Sequence, residues 1–168
     1  MARPQRRDKG TTLKDLVPPD LFVQHLNAGT KKEAITELVN SLAINGVIDL
    51  GQEREVREAI LERESVASTG IGNGLAIPHF KLRQAGKFGI CFGISEAGLD
   101  WAAHDGQPVR LGGCWICPTN EAGSHPALMR GLASVAKDYD NVERLARCRD
   151  RRQLLNMLLE IEVESKGK

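Results

Sequence analysis

The feature that most constrains the fold is the order in which helical and β-rich segments follow one another. Amphipathic helical patterns cover residues 30–46 and 52–64, and three short, apolar, partly β-branched segments follow within residues 75–118. Helical patterns then return within residues 124–163. Because helices precede and follow the central strands, the sequence predicts a β-sheet that is covered by helices on both faces.

Capping signals mark the ends of two of these helices. Thr30 with Glu33, and Asp150 with Gln153, have the spacing of a capping box. Gly46 is a typical stop after the first helix. We therefore expect helices to begin at Thr30 and Asp150.

Length and charge limit the class of protein. A chain of 168 residues fits one domain, and we assign residues 1–10 to a flexible basic tail, 11–163 to the domain and 164–168 to a C-terminal tail. Lys and Arg total 23 against 22 for Asp and Glu, which gives no general attraction to nucleic acid or to an anionic membrane. No apolar stretch approaches the roughly 20 residues of a membrane span, and the N-terminus lacks the apolar region of a secretory signal. The sequence predicts a cytoplasmic protein without membrane insertion.

The stretch STGIGNGLAIPHF, residues 68–80, has three glycines at alternate positions. Fixing Gly70, Gly72 and Gly74 costs conformational entropy, which indicates unusual dihedral angles or a close approach of the backbone to another group. The stretch lacks both the Gly-Lys-Ser/Thr end of a Walker A loop and the third glycine of a dinucleotide fingerprint. We interpret it as a loop whose N–H groups form an anion-binding concavity.

Pro78 gives His79, the next residue, a stiff approach. Its ring fixes its own φ and pushes Ile77 toward extended geometry. Proline cannot donate to a ladder, so the segment belongs at a sheet edge or a strand end, where His79 reaches the surface. The alternative interpretation is a partly buried histidine with satisfied ring nitrogens.

A second histidine has a different setting. In SHPAL, Ser124 or His125 is a fitting N-cap and Pro126 fits the first helical turn, so His125 is expected at a helix N-terminus, which favours anions. We interpret His25 and His104 as ordinary surface or packing residues.

The four cysteines carry the motif CWIC at residues 114–117. Redox CxxC motifs open helices, whereas this one lies in a strand pattern that places Cys114 and Cys117 on opposite faces. We expect reduced, packed thiols, Cys91 included. A metal site that also uses Cys148 and His125 is the alternative, although a second ligand pair is missing.

The assembled pattern RESVASTGIGNGLAIPH resembles the enzyme IIA domains of bacterial phosphoenolpyruvate-dependent phosphotransferase systems, of the fructose/mannitol class. It is most similar to the stand-alone nitrogen-regulatory members. The family's active-site pattern is present as Arg63-Glu64, Ser68–Gly72 and Ala76–His79, and the similarity extends from about residue 12 to residue 160. The resemblance implies an α/β (α+β) fold of three layers, in which a mixed central sheet is flanked by helices on both faces.

The resemblance also implies roles for individual residues. His79 accepts a phosphoryl group through Nε2, without a metal or other cofactor, from the phosphocarrier protein HPr or its nitrogen-branch counterpart. His125 stabilises that group, and Arg63 lies nearby. A neutral imidazole suits this task because it is nucleophilic near pH 7. The phosphate-binding positions are Ser68, Thr69, Gly70, Gly72 and Gly74.

The sequence leaves several functions open. The leading hypothesis is a phosphocarrier whose phosphorylation state controls a partner protein. A second is the IIA component of a fructose or mannitol uptake system, with a separate IIB partner. Phe80 after the active histidine, Pro126 after the second one and Gly112–Gly113 in a strand depart from the family pattern. Phe80 and Pro126 motivate a hypothesis of another class, an interaction module without phosphotransfer. A metal or redox protein built on CWIC is the last.

Overall fold

A mixed β-sheet separates two groups of helices in residues 21–83, 88–119 and 126–167, the ranges that this computed structural model describes. The strands are β1 (Phe22–Val23), β2 (Gly70–Gly72), β3 (Leu75–Ala76), β4 (His79–Leu82), β5 (Gly89–Leu99) and β6 (Val109–Pro118). The helices are α1 (Lys31–Ile44), α2 (Glu53–Val66), α3 (Pro126–Val135), α4 (Tyr139–Ala146) and α5 (Arg151–Lys166). A 3₁₀ turn, Leu50–Gln52, precedes α2. None of the helices in these ranges is long and apolar enough to cross a membrane.

The sheet is built around β6. Its strand order is β1-β5-β6-β3-β2, and β4 also pairs with β6. The β5–β6 pair is antiparallel, whereas β3 and β4 both run parallel to β6. The sheet is therefore mixed, as the family resemblance implied.

Each face of the sheet has its own apolar core. The first cluster packs α1 and α2 against one face, and the second cluster packs α3, α4 and α5 against the other. In the first cluster the sheet contributes Ala76, Leu82, Cys91, Leu99, Val109, Cys114 and Ile116. In the second it contributes Leu75, Ile90, Phe92, Ile94 and Leu111. The prediction of a sheet covered on both faces is confirmed.

The predicted caps form. The Glu33 N–H donates to Thr30 Oγ1 at 3.2 Å, and the Gln153 N–H donates to Asp150 Oδ1 at 2.9 Å. Helix α5 continues to Lys166, so most of the segment 164–168 that we predicted as a tail is helical. The predicted N-terminal tail, residues 1–10, lies outside the described residues.

The two glycines of β6 do not interrupt it. The strand runs unbroken from Val109 to Pro118, and a Cβ on Gly113 would lie 3.1 Å from Phe92 Cε1. The Phe92 ring fills the space that a side chain at position 113 would occupy. This departure from the family pattern is therefore local: the aromatic ring of Phe92 takes the place of a side chain at position 113.

Candidate functional site

His79 begins strand β4, directly after the break that separates β4 from β3. Strands β3 and β4 pair with β6 in one continuous register, Leu75 opposite Leu111 and His79 opposite Trp115. Between them, Ile77 turns its N–H away to the Thr69 carbonyl at 3.0 Å, and Pro78 has no N–H to give. Within the described part of the chain β4 pairs with β6 alone, so the prediction that the proline segment lies at a sheet edge is confirmed.

One hydrogen bond sets the tautomer of His79. Its Nδ1 lies 2.9 Å from the Ile77 carbonyl oxygen. Because a carbonyl only accepts, Nδ1 carries the proton, and the lone pair of the neutral ring is on Nε2. No residue in the described ranges forms a hydrogen bond with Nε2. The half-buried ring thus offers one free nucleophilic nitrogen.

The imidazole ring of His79 stacks on the indole of Trp115. The ring centroids are 4.7 Å apart and the planes make an angle of 16°. This contact was not predicted, because CWIC was interpreted through its thiols and not through the tryptophan between them. The only signal in the sequence was an aromatic residue within a predicted strand, and the register that brings it to His79 is not visible there.

The glycine stretch is a β-hairpin rather than the irregular loop we expected. Strand β2 pairs antiparallel with β3, and the two-residue turn between them is Asn73-Gly74, with φ of +53° and +84°. Positive φ at both central residues is typical of Asn-Gly hairpin turns. The dipeptide Asn-Gly beside an apolar run was the sequence signal for this turn.

Gly70 is required for a close approach rather than for its dihedral angles. A Cβ at this position would lie 2.8 Å from the Ala103 Cβ and 2.9 Å from the Ala103 Cα. The hairpin therefore lies directly against the segment that connects β5 to β6. The sequence predicted that the backbone here approaches another group closely. This is confirmed, and the group is Ala103 of the same chain.

A buried carboxylate fixes the base of the hairpin. Glu64, 5% exposed at the end of α2, accepts from the Thr69 N–H at 3.1 Å and also from the Thr69 hydroxyl. The Lys31 ammonium lies 3.4 Å from the same carboxylate. Ser68 adds a second attachment, because its hydroxyl donates to the Trp101 carbonyl at 2.9 Å.

A second carboxylate fixes the turn. Asp105 is exposed and accepts from the Asn73 N–H at 2.8 Å and the Gln107 N–H at 3.1 Å. These hydrogen bonds, the one from Asn73 foremost, hold the pKa of Asp105 below its ordinary value. The amides of Thr69 and Gly70 likewise have acceptors inside the chain, Glu64 and the Ser68 hydroxyl. Phosphate binding by Ser68, Thr69, Gly70, Gly72 and Gly74 stays a prediction.

The other predicted charged residues differ in setting. Arg63 is exposed, and its Nη1 donates to the Ala67 carbonyl at 2.8 Å, where α2 ends and the chain enters the hairpin. His125 lies outside the described residues, and α3 begins at Pro126, directly after it. Of the remaining histidines, His25 pairs with Glu96 at 3.1 Å at an exposed position, and His104 is exposed beside the hairpin.

Phe80 points away from His79. It is half-buried and packs against the first cluster, whereas Trp115 packs against the second. Adjacent strand residues face opposite sides of a sheet, so the bulk of Phe80 lies on the α1 and α2 side. Its main structural role is to pack against the first cluster, between the sheet and helices α1 and α2.

The cysteines lie in the interior. All four are buried, and desolvation raises the pKa of Cys91 to about 12 and the pKa of Cys114 above its ordinary value, so these two thiols are poor nucleophiles. Among the described residues, no group of three or more His, Cys, Asp or Glu side chains could hold a metal ion.

Comparison with known proteins gives a single family. The chain matches the model "Phosphoenolpyruvate-dependent sugar phosphotransferase system, EIIA 2" over residues 15–161. A nitrogen regulatory protein from Bradyrhizobium diazoefficiens is 32% identical over 145 residues, which are 86% of this chain and 92% of the relative. A fructose-specific EIIA component from Haloferax volcanii is 28% identical over 152 residues, 90% of this chain and 97% of the relative.

Solved structures of similar proteins have the same fold. The nitrogen regulatory protein IIA-Ntr from Neisseria meningitidis superposes with a TM-score of 0.71 at 23% identity, covering 86% of this chain and 97% of that one. The IIA mannitol protein from Escherichia coli gives a TM-score of 0.67 at 25% identity, covering 83% and 96%.

Proposed function

The chain belongs to the EIIA 2 family of the phosphoenolpyruvate-dependent sugar phosphotransferase system, and from this membership we propose that it is a phosphocarrier. It accepts a phosphoryl group from an HPr-type donor on Nε2 of His79. Its phosphorylation state then controls a partner protein.

The observation that carries this proposal is the hydrogen bond between His79 Nδ1 and the Ile77 carbonyl. It assigns the proton to Nδ1 and leaves the lone pair on Nε2, where no described residue occupies it. A nucleophile that is held in one tautomer and free at its reacting atom is what phosphoryl uptake requires.

The phosphoryl transfer needs no cofactor, because the donor and His79 supply every bond and electron pair that changes. The Nε2 lone pair attacks phosphorus, the N–P bond forms, and the bond between phosphorus and the donor breaks, leaving its electron pair on the donor. Because Nδ1 keeps its proton, the phosphorylated ring carries a positive charge that makes it a good leaving group for the next acceptor. The protein contributes mainly alignment and charge stabilisation in such a step.

Supporting roles are proposed for residues around the ring. Arg63, at the end of α2 that leads into the hairpin, supplies positive charge. His125, directly before α3, stabilises the phosphoryl group, and a helix N-terminus favours an anion there. The hairpin from Ser68 to Gly74 lines the phosphate side of the site.

The regulatory output is supported by the 32% identity to a nitrogen regulatory protein. A sugar-uptake role is the second candidate, since a fructose-specific EIIA component is 28% identical over nearly its whole length. The Escherichia coli mannitol IIA protein, in a solved complex with its phosphorylated IIB enzyme, shares the fold. Transfer to a IIB protein is the property that separates the two candidates.

The experiment is intact-mass analysis after incubation with phosphoenolpyruvate, enzyme I and either the sugar-branch or the nitrogen-branch HPr. The variants are His79→Ala and His125→Ala, with His25→Ala as a matched control, since His25 is an exposed histidine paired with Glu96. We expect one acid-labile phosphoryl group on the wild type and on His25→Ala, none on His79→Ala, and a short-lived one on His125→Ala. Wild-type protein that stays unmodified with both donors would favour the interaction module.

A second incubation separates the outputs. Phosphorylated protein is mixed with a fructose-type IIB protein, and loss of the phosphoryl group is followed by mass. Retention is the expected result for a regulatory protein, whereas rapid transfer would assign the chain to sugar uptake.

A further inference from the structure

The pairing of β4 with β6 brings His79 and Trp115 side by side. The two residues are register partners in a parallel ladder, and the Trp115 N–H donates to the Pro78 carbonyl at 3.1 Å. Register partners project to the same face of a sheet, so the two rings meet, while the next pair, Phe80 and Ile116, belongs to the first cluster on the opposite face. The backbone therefore imposes the ring contact.

The stack restrains a motion that the hydrogen bond to Ile77 leaves free. One hydrogen bond at Nδ1 fixes the position of one ring atom, and the imidazole can still pivot about it. The Trp115 indole lies 4.7 Å away at an interplanar angle of 16°, which fixes the plane of the imidazole as well. With one atom and the plane fixed, the direction of the Nε2 lone pair is fixed too.

The stack also stabilises a positive charge on the imidazole ring. The face of an indole carries negative electrostatic potential and attracts a cation placed over it. Phosphoryl uptake at Nε2 leaves positive charge on the His79 ring, and Trp115 is positioned to stabilise that charge. The Trp115 indole thus stabilises the phosphorylated form of His79 and also fixes the orientation of its ring.

We propose that Trp115 is a positioning residue for His79, holding the imidazole plane so that Nε2 faces the incoming phosphoryl group. The inference rests on the proposed phosphocarrier function. It assigns a role to the tryptophan of CWIC, for which the cysteines on either side offered none.

The test compares Trp115→Leu with Trp115→Phe, which keeps an aromatic face. The control is Ile116→Val, which alters the neighbouring position of β6 on the opposite face of the sheet. Initial rates of phosphoryl uptake are measured by mass with the HPr that serves the wild type. We expect Trp115→Leu to be slower by about 3- to 10-fold, Trp115→Phe to recover most of the rate, and Ile116→Val to match the wild type.

A second readout follows the ring itself. The ¹⁵N shifts of the His79 ring report its tautomer, and NOEs from the ring protons to neighbouring residues report the plane in which the ring is held. We expect one dominant tautomer and one ring orientation in the wild type. In Trp115→Leu the tautomer stays the same, because the Ile77 carbonyl sets it, but the ring samples more than one orientation; Ile116→Val, which leaves the stack in place, keeps the single orientation.

The two readouts separate the possible failures. Wild-type uptake rates and a wild-type ring orientation in Trp115→Leu would overturn the positioning role while leaving the phosphocarrier function intact. A wild type that takes up no phosphoryl group would overturn the function, and the ring orientation alone would then decide whether Trp115 positions His79. If Trp115→Leu does not fold, Trp115→Val, whose β-branched side chain suits a strand and also lacks an aromatic face, takes its place with the same expected loss.

Discussion

Two carboxylates bind the glycine hairpin at different depths. Glu64 is buried and holds its base through Thr69, whereas Asp105 is exposed and holds its turn through Asn73. Water can replace a lost partner at the turn but not at the base, so the same kind of bond has a larger effect at Glu64. The lower end of the hairpin is also connected to His79, because the Thr69 carbonyl accepts a hydrogen bond from the N–H of Ile77, two residues before His79.

The largest effect is expected for Glu64→Ala. It leaves the buried Thr69 N–H and hydroxyl without their acceptor and removes the carboxylate beside the Lys31 ammonium, so we expect a loss of about 2–4 kcal/mol in the free energy of unfolding, measured in urea. Glu64→Gln keeps an acceptor and should lose less than half as much. A loss within about 0.5 kcal/mol of zero for Glu64→Ala would show that the base is not held by this bond.

Gly74→Ala should rank second. The substitution places a side chain at φ of +84° and a Cβ 3.3 Å from Val142 Cγ1, which we expect to cost about 1–2 kcal/mol in thermal or urea unfolding. Gly51→Ala is the matched control, since a Cβ there has no neighbour within 4 Å and the φ of Gly51 is not positive. Equal stability of the two variants would argue against a rigid turn.

Asp105→Asn should have a smaller effect, confined to the turn. We expect faster hydrogen exchange at the Asn73 amide with little change in the midpoint of global unfolding. Asp100→Asn is the control, because Asp100 is exposed and accepts only from the nearby Ala102 N–H at 3.0 Å among the described residues. Faster exchange at Asn73 in both variants would mean that the Asp105 bond is not what protects that amide.

The smallest effect is a pH dependence of the turn. The N–H groups of Asn73 and Gln107 lower the pKa of Asp105 in the folded state. The stability that the ionised carboxylate gives the turn is therefore complete above the ordinary aspartate pKa, and it is lost as the pH falls through the lowered value. We expect the Asn73 amide shift to titrate below the usual aspartate range in the wild type and to stay flat in Asp105→Asn. A midpoint at or above the ordinary value would contradict the assignment.

Local signals in the sequence predicted much of this arrangement. The caps at Thr30 and Asp150, and the edge position that Pro78 imposes, depend on residues within a few positions of one another. The resemblance drawn from the stretch 63–79 is confirmed by the family match. Whether the glycine stretch binds a phosphate stays a prediction; within the protein, the Asn73 amide of the turn donates to the carboxylate of Asp105.

The remaining features depend on pairing that no local pattern encodes. Trp115 meets His79 only because β4 and β6 share one register, and a slip of one residue would turn the indole to the other face. Asp105 reaches Asn73 across 32 positions of sequence. Such contacts follow from the assembled sheet, so the sequence left both residues without a role.

The two contacts of the His79 ring also differ in how they arise during folding. The Ile77 carbonyl is two residues away, so that hydrogen bond needs only the local chain. The Trp115 indole is 115 − 79 = 36 residues away, and it arrives only when β6 pairs with β4 after β5 has been made. Contacts between distant residues form more slowly than local ones. The stack on Trp115 therefore forms only once the strands are assembled, whereas the hydrogen bond to Ile77 can form in a chain whose sheet is still incomplete.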